Sequence, residues 1–333
     1  MSVTAALVVL ALALLGPVPA VVARSRWPVR DPGTGLVAWL AVAVGAALTC
    51  DAALLRAGTA PLRSALTAGA ADVPAAAGPA AVPAPLSALD VALLLAGTAL
   101  ICLQVGALAY VSFQGWARRR EHRSVLHLVG DWDPESESVV IDHDVPLAYT
   151  VPGRPGVVVL SRACHKVLPG LHVRAVLEHE WAHLRGRHGL ILRPLVAWRA
   201  SLPMLPAGRT ALERAGLLVE MLADTAAARA TTPQAALAAM HRIATGPGPF
   251  DRGRDPGREP VHATANGDDR LAEDQAWEPS ATALARIRRL LNPPRPLPAA
   301  VTGGIRAAAA LVVLLPLLSL VPVLAVMTGE LIR

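Results

Sequence analysis

Apolar positions in this chain gather into four nearly unbroken runs, at about 5–23, 36–55, 86–113 and 307–326. Each is close to the roughly 20 residues that an α-helix needs to cross a 30 Å hydrocarbon core. The pattern predicts four transmembrane helices. Gly16, Pro17 and Pro19 interrupt the first run, but helix breakers are tolerated in membrane helices. A signal peptide fits less well, because the run is long and no basic segment precedes it. Between the third and fourth runs lies a more polar block, from about Ala117 to Gly304. Within it Leu147 to Val151 and Val157 to Leu160 read as two short strands. Pro169 and Gly170 then precede a helix expected over Leu171 to Arg187, and a second helix is expected over Ala211 to Arg229. The apolar stretch from Leu190 to Pro206 is cut by Pro194, Pro203 and Pro206. It is too broken for a fifth span and is expected either to lie against the membrane surface or, the favoured reading, to pack under the first of these helices. The expected division is 1–116 for three spans, 117–304 for the block, and 305–333 for the last span and a short tail.

Arginines flank these runs asymmetrically. Arg24, Arg26 and Arg30 follow the first run, Arg118, Arg119, Arg120 and Arg123 follow the third, and Arg286, Arg288, Arg289, Arg295 and Arg306 approach the fourth. The connection between the second and third runs holds only Arg56, Arg63 and Asp72 as charges. The bias of basic residues toward the cytoplasm therefore predicts an outside N-terminus, a cytoplasmic block and an outside tail. Trp27, Trp39 and Trp116 fall near the expected interfaces. Asp51 and Asp90 lie near the ends of spans two and three, where both are expected to reach the outer interface instead of forming an ion path.

Composition agrees with a membrane protein: of 333 residues, 53% are hydrophobic and 17% charged, with a mean hydropathy of +0.45. That excludes disorder over the whole chain. Three cysteines exclude a disulfide scaffold, and Cys164 has no C-x-x-C partner with which to build a zinc ribbon or redox pair. The net charge of +6 comes without a basic stripe interleaved with aromatics, so direct nucleic-acid binding is not expected. Nor is an internal repeat visible, which argues against an inverted-repeat transporter.

The polar block carries Glu178-His179-Glu180-Trp181-Ala182-His183. On a helix His179 and His183 share one face, so both imidazoles can reach a single ion. Zinc suits two neutral nitrogens and one oxygen ligand with a fourth position open to water, and Glu180 can accept that water's proton. A third histidine in the metzincin arrangement would fall at 189, which is Gly189; the nearest histidine is His188. The second helix instead offers Glu220 as oxygen ligand and, one turn on, Asp224 to hydrogen-bond a ligand histidine. Both carboxylates sit among Leu217, Leu218, Val219, Met221 and Leu222, and carboxylates in apolar surroundings require partners. Arg187 and His188 read as a basic helix end. His262, Arg270 and Arg286 are candidates for a transition-state donor, and the segment from Thr245 to Asp269 reads as a loop.

Three spans, a block with H-E-x-x-H between Glu178 and His188 and E-x-x-x-D between Glu220 and Asp224, then a final span: this layout resembles the BlaR/MecR-type membrane metallopeptidases. The resemblance implies an α+β zincin-like (gluzincin) domain inserted between transmembrane helices three and four. It implies a zinc endopeptidase that cleaves a cytoplasmic winged-helix transcriptional repressor, with Glu180 catalytic and His179, His183 and Glu220 holding the metal. Members that sense β-lactams carry a large extracellular penicillin-binding domain after the last span. This sequence stops at Arg333, shortly after its own last run, and such a sensor is expected to be lacking. Two other readings are an HtpX-type quality-control protease, which shares the motif, and a non-catalytic receptor or scaffold with a structural metal.

Overall fold

A computed structural model provides the fold, with residues 2–64, 85–245 and 279–328 described. The Ser2 hydroxyl accepts from the Ala5 N–H and opens α1 (Val3–Leu15). Gly16 ends it, and Pro17, suited to a first helical turn, starts α2 (Pro17–Arg24). The first run is thus two helices in series. A short turn, α3 (Trp27–Arg30), leads to α4 (Pro32–Gly58), which Asp31 caps by accepting from the Thr34 N–H. Ser87 and Asp90 form a reciprocal capping box at the head of α5 (Ala88–Val129). The last described helix is α12 (Ala299–Thr328). Four segments are long and apolar enough to cross a membrane: Val3–Arg24, Pro32–Gly58, Ala88–Val129 and Ala299–Ala325. At 1.5 Å per residue α5 is about 63 Å long, twice the hydrocarbon thickness. Its C-terminal half therefore leaves the bilayer and carries Arg118 to Arg123 into the polar block.

α4 is the hub of the bundle, packed by α1, α5 and α12. α12 approaches at Gly45, where a Cβ would lie 3.1 Å from the Val312 carbonyl oxygen. Two expectations about the spans need correction. Asp51 does not face outward: it is 4% exposed and accepts from the Gln104 Nε2 of α5 at 3.3 Å. Trp39 is not an interfacial anchor but is 1% exposed inside the core. Asp90 does sit at a helix start, and Trp116 is half exposed with the Arg120 guanidinium over its ring.

The polar block begins with a four-stranded mixed sheet of β1 (Gly130–Asp133), β2 (Ser138–Ile141), β3 (Ala148–Val151) and β4 (Val157–Ser161), in the order β1-β2-β4-β3. β2 and β4 are parallel, and the other pairs are antiparallel. β3 and β4 are the strands that the sequence predicts; β1 and β2 are additional. Val158, Val159 and Leu160 of β4 are fully buried. Six helices follow among the described residues: α6 (Arg162–Val167), α7 (Gly170–Arg185), α8 (His188–Ser201), α9 (Pro206–Ala230), α10 (Pro233–Thr245) and α11 (Pro279–Leu291). The proline-broken stretch is helical after all: α8 runs through Pro194. It packs chiefly against α5, α9 and α4, and only slightly against α7. The chain is thus mostly helical with a small mixed sheet.

Spans and block share the largest core. Leu36, Trp39 and Val42 of α4 pack with Leu195 and Trp198 of α8 and with Leu212, Leu218 and Met221 of α9. A second core joins Leu160 and Cys164 to Val173 and Val176 of α7 and to Ala236 and Ala239 of α10. The arginine-bearing connections also meet. Arg30 Nε donates to the Arg295 carbonyl at 3.1 Å, Arg289 Nε to the Val29 carbonyl at 2.9 Å, and Arg123 Nη1 to the Pro155 carbonyl at 2.8 Å.

Candidate metal centre

α7 and α9 lie side by side and bring three ligand-type side chains together. The Nε2 atoms of His179 and His183 are 3.1 Å apart, and each is 3.5 Å from a carboxylate oxygen of Glu220. This group could hold a metal ion. Its spacing fits one: bonds of about 2.05 Å to a tetrahedral ion place ligand atoms roughly 3.3 Å from one another. The outward nitrogens are partnered as well. His179 Nδ1 is 3.1 Å from Asp224 Oδ1, and in the singly protonated ring an N–H donated there leaves the Nε2 lone pair facing the site. His183 Nδ1 lies 3.1 Å from His188 Nδ1.

His188 is the functional neighbour that sequence reasoning misplaced. It does not end the first helix but starts α8, and it is buried. The chain folds back because α7 stops at Gly186 and Arg187 adopts a left-handed φ of 49°, a conformation that non-glycine residues seldom take. A Cβ at position 186 would collide with the His188 ring and lie 2.9 Å from the Ala182 carbonyl oxygen. Glycine there lets the imidazole lie against the turn.

Arg286 of α11 completes the carboxylate side. Its Nε and Nη2 donate to the two Asp224 oxygens, each at 2.7 Å, and Nη1 lies 3.1 Å from Glu220 Oε2. The sequence offered Arg286 as a transition-state donor. All three of its nitrogens lie against the two carboxylates, so the contacts present here are to Asp224 and Glu220. His262 and Arg270, with the loop expected after Thr245, lie outside the described residues.

These contacts set the charges. Burial opposes charge on His179, but hydrogen bonds to Asp224 and Glu220 outweigh it and hold its pKa up at about 9. Burial pulls His183 down to about 4. Glu220 and Asp224 are partly and almost fully buried, which would raise them. His179 and Arg286 outweigh that for Glu220, as Arg286 and His179 do for Asp224, and both fall below the ordinary carboxylate range. For Glu180 burial, with the nearby Glu220, outweighs the opposing pull of His179 and Arg286 and raises it to about 7. It lines, with His179, Glu220 and Arg286, a cavity of about 320 Å³ whose remaining wall is largely apolar. A carboxylate poised near neutrality beside a potential cation site can both take and return a proton.

No protein-family model, no curated protein and no solved structure matches this chain.

Proposed function

We propose that the protein is an integral membrane zinc endopeptidase, working on the cytoplasmic side and transmitting a signal by cleaving a transcriptional repressor. The observation that carries the hydrolytic part is the convergence of His179, His183 and Glu220, with Glu180 lining the same cavity as His179 and Glu220. Two imidazoles and a carboxylate are the ligand set of catalytic zinc, and a bound zinc ion supplies acidified water and polarises a peptide carbonyl. The cytoplasmic side is supported by the bias of arginines to the connections after the first and third runs and before the fourth. The repressor rests on the resemblance to the BlaR/MecR-type proteins.

Each residue then has a task. Asp224 fixes the His179 tautomer and ring, and His188 does the same for His183. Arg286 holds Glu220 and Asp224 at a fixed separation. Glu180 removes the proton from the attacking water as oxygen bonds to the peptide carbon, and delivers it to the departing amine as the C–N bond breaks. The decisive test is Glu180→Gln in the full-length protein. Zinc content should stay at the parent's level while hydrolysis falls by about 10²- to 10⁴-fold, the usual worth of a general base. Chelator-sensitive cleavage at the parent's rate would remove Glu180 from the mechanism.

A further inference from the structure

α11 turns charge inward and leucine outward. Arg286 contacts Asp224 and Glu220, and Arg289 donates to the Val29 carbonyl and the Thr225 hydroxyl. Leu284 and Leu291, by contrast, are 51% and 55% exposed, and Arg288 lies exposed between them. These three stand at i, i+4 and i+7, which is one stripe along a helix. A helix on a water-facing surface buries its leucines and exposes its arginines. The reversed order calls for an outer medium that accepts apolar groups and a cation together.

The place of α11 in the fold supplies such a medium. Arg289 reaches Val29, two residues before the cap of α4, Arg30 donates to the Arg295 and Pro296 carbonyls, and Arg306 of α12 donates to Thr34 Oγ1. The end of α11 is thus tied to the heads of two spans, α4 and α12, and only residues 292–298 separate it from α12. Residues 17–30 and 279–306 contain no acidic side chain. On these two segments Arg24, Arg26, Arg30, Arg288 and Arg295 are exposed. Asp31, which follows the first segment, is engaged by Thr34 and Thr302. A basic surface at the end of a bundle, with leucines beside it, matches the boundary between anionic headgroups and acyl chains.

We propose that the outer face of α11 seats on anionic phospholipid in the leaflet beside the polar block, with Arg288 on a headgroup phosphate and Leu284 and Leu291 toward the acyl chains. Seating holds α11 against α9, and so keeps Arg286 on Glu220 and Asp224. The lipid surface then helps to keep the candidate metal centre assembled. The inference rests on the spans and the metal-ligand group and not on hydrolysis, so it stands or falls separately from the peptidase reading.

The test uses full-length protein in nanodiscs of phosphatidylcholine alone or mixed with phosphatidylglycerol, with hydrogen exchange of the α11 amides as the readout. Exchange should be about fivefold slower in the anionic discs, the gain that one arginine near an anionic surface supplies. Arg288→Gln should remove that difference, and Leu284→Asn should speed exchange in both kinds of disc. Both side chains are exposed, so neither variant threatens the fold. Zinc affinity, measured by chelator competition in the same discs, should rise about two- to fivefold with anionic lipid, because a contact can shift the centre by no more than its own free energy. Equal exchange in the two kinds of disc overturns the lipid seat. Slow exchange that persists in lipid-free detergent also overturns it, since another part of the chain would then cover α11. Protection restored to phosphatidylcholine discs by inorganic phosphate would assign the arginines to a soluble anion and overturn it as well. Lipid-dependent exchange with unchanged zinc affinity overturns the link to the metal centre.

Discussion

At the scale of single residues the centre depends on groups that are not themselves metal-ligand candidates. Arg286 spends its fork on Asp224 and its remaining nitrogen on Glu220, so one guanidinium orients the carboxylate ligand and the carboxylate that fixes a ligand histidine. Lysine keeps the charge but has no planar fork. Arg286→Lys should therefore weaken zinc affinity by about 10- to 100-fold, as loss of an outer partner of a metal ligand commonly does, with the protein still folded and saturable at high zinc. Competition titration against a chelator measures it, and an unchanged affinity would reduce Arg286 to a surface ion pair. Much of this centre is legible in the sequence, because His179, Glu180 and His183 lie on one helix and Glu220 and Asp224 on another, where spacing alone fixes which residues share a face. His188 is not legible in that way. Its role arises from a left-handed residue at Arg187 that turns the chain back, and no periodicity announces a turn of that kind. The task of Arg286 is hidden for a related reason: it lies 62 residues beyond Asp224, and only packing of α11 on α9 unites them.

At the scale of elements, helix starts are set by caps that also tie elements together. Asp31 accepts from the Thr34 N–H at the head of α4 and from the Thr302 hydroxyl of α12 at 3.4 Å, while Arg306 donates to Thr34 Oγ1 at 3.2 Å. Partial burial would raise the Asp31 pKa, but the Thr34 hydrogen bonds, Arg306 and Thr302 outweigh it, and the value falls below the ordinary 3.8. A carboxylate depressed on folding contributes stability that is fully present above its unfolded value and is lost as pH falls through the folded one. Asp31→Ala should cost about 1 kcal/mol at neutral pH, the usual worth of an N-cap, read as a lower unfolding midpoint in detergent. The gap from the parent should narrow as pH drops below 3.8. A gap that persists unchanged in acid would mean that the cap's charge is irrelevant. The four spans are legible because bilayer thickness imposes a length on any apolar run. β1 and β2 are harder to read, since each spans only four residues and Trp132 is the one large apolar side chain of β1. Their pairing comes from neighbours: β1 lies against β2, and β2 against the buried β4.

At the scale of the whole molecule, the line that hydropathy draws at 116–117 does not separate two cores. α5 passes it without a break, and the largest apolar cluster belongs to both sides. Gly35 of α4 sits so close to α9 that a Cβ there would lie 2.9 Å from Leu218 Cδ1. Leu218 and Met221 flank Glu220 in sequence and are almost fully buried, so the contact with α4 fixes the segment that carries the carboxylate ligand. Each such side chain contributes about 1.5–3 kcal/mol through burial, while a folded domain has a net stability of only about 5–15 kcal/mol. Removing the spans would expose several of them together. Residues 117–304 expressed alone should accordingly aggregate or lose zinc, whereas the full chain in detergent holds one equivalent. Co-expression with residues 1–116 should recover zinc binding, because it restores Leu36, Trp39 and Val42 to the face of α9. Size-exclusion chromatography with metal analysis reads both results. A monodisperse 117–304 that binds zinc as tightly as the full chain would show that the shared core is dispensable, and that the spans only anchor the site and do not build it.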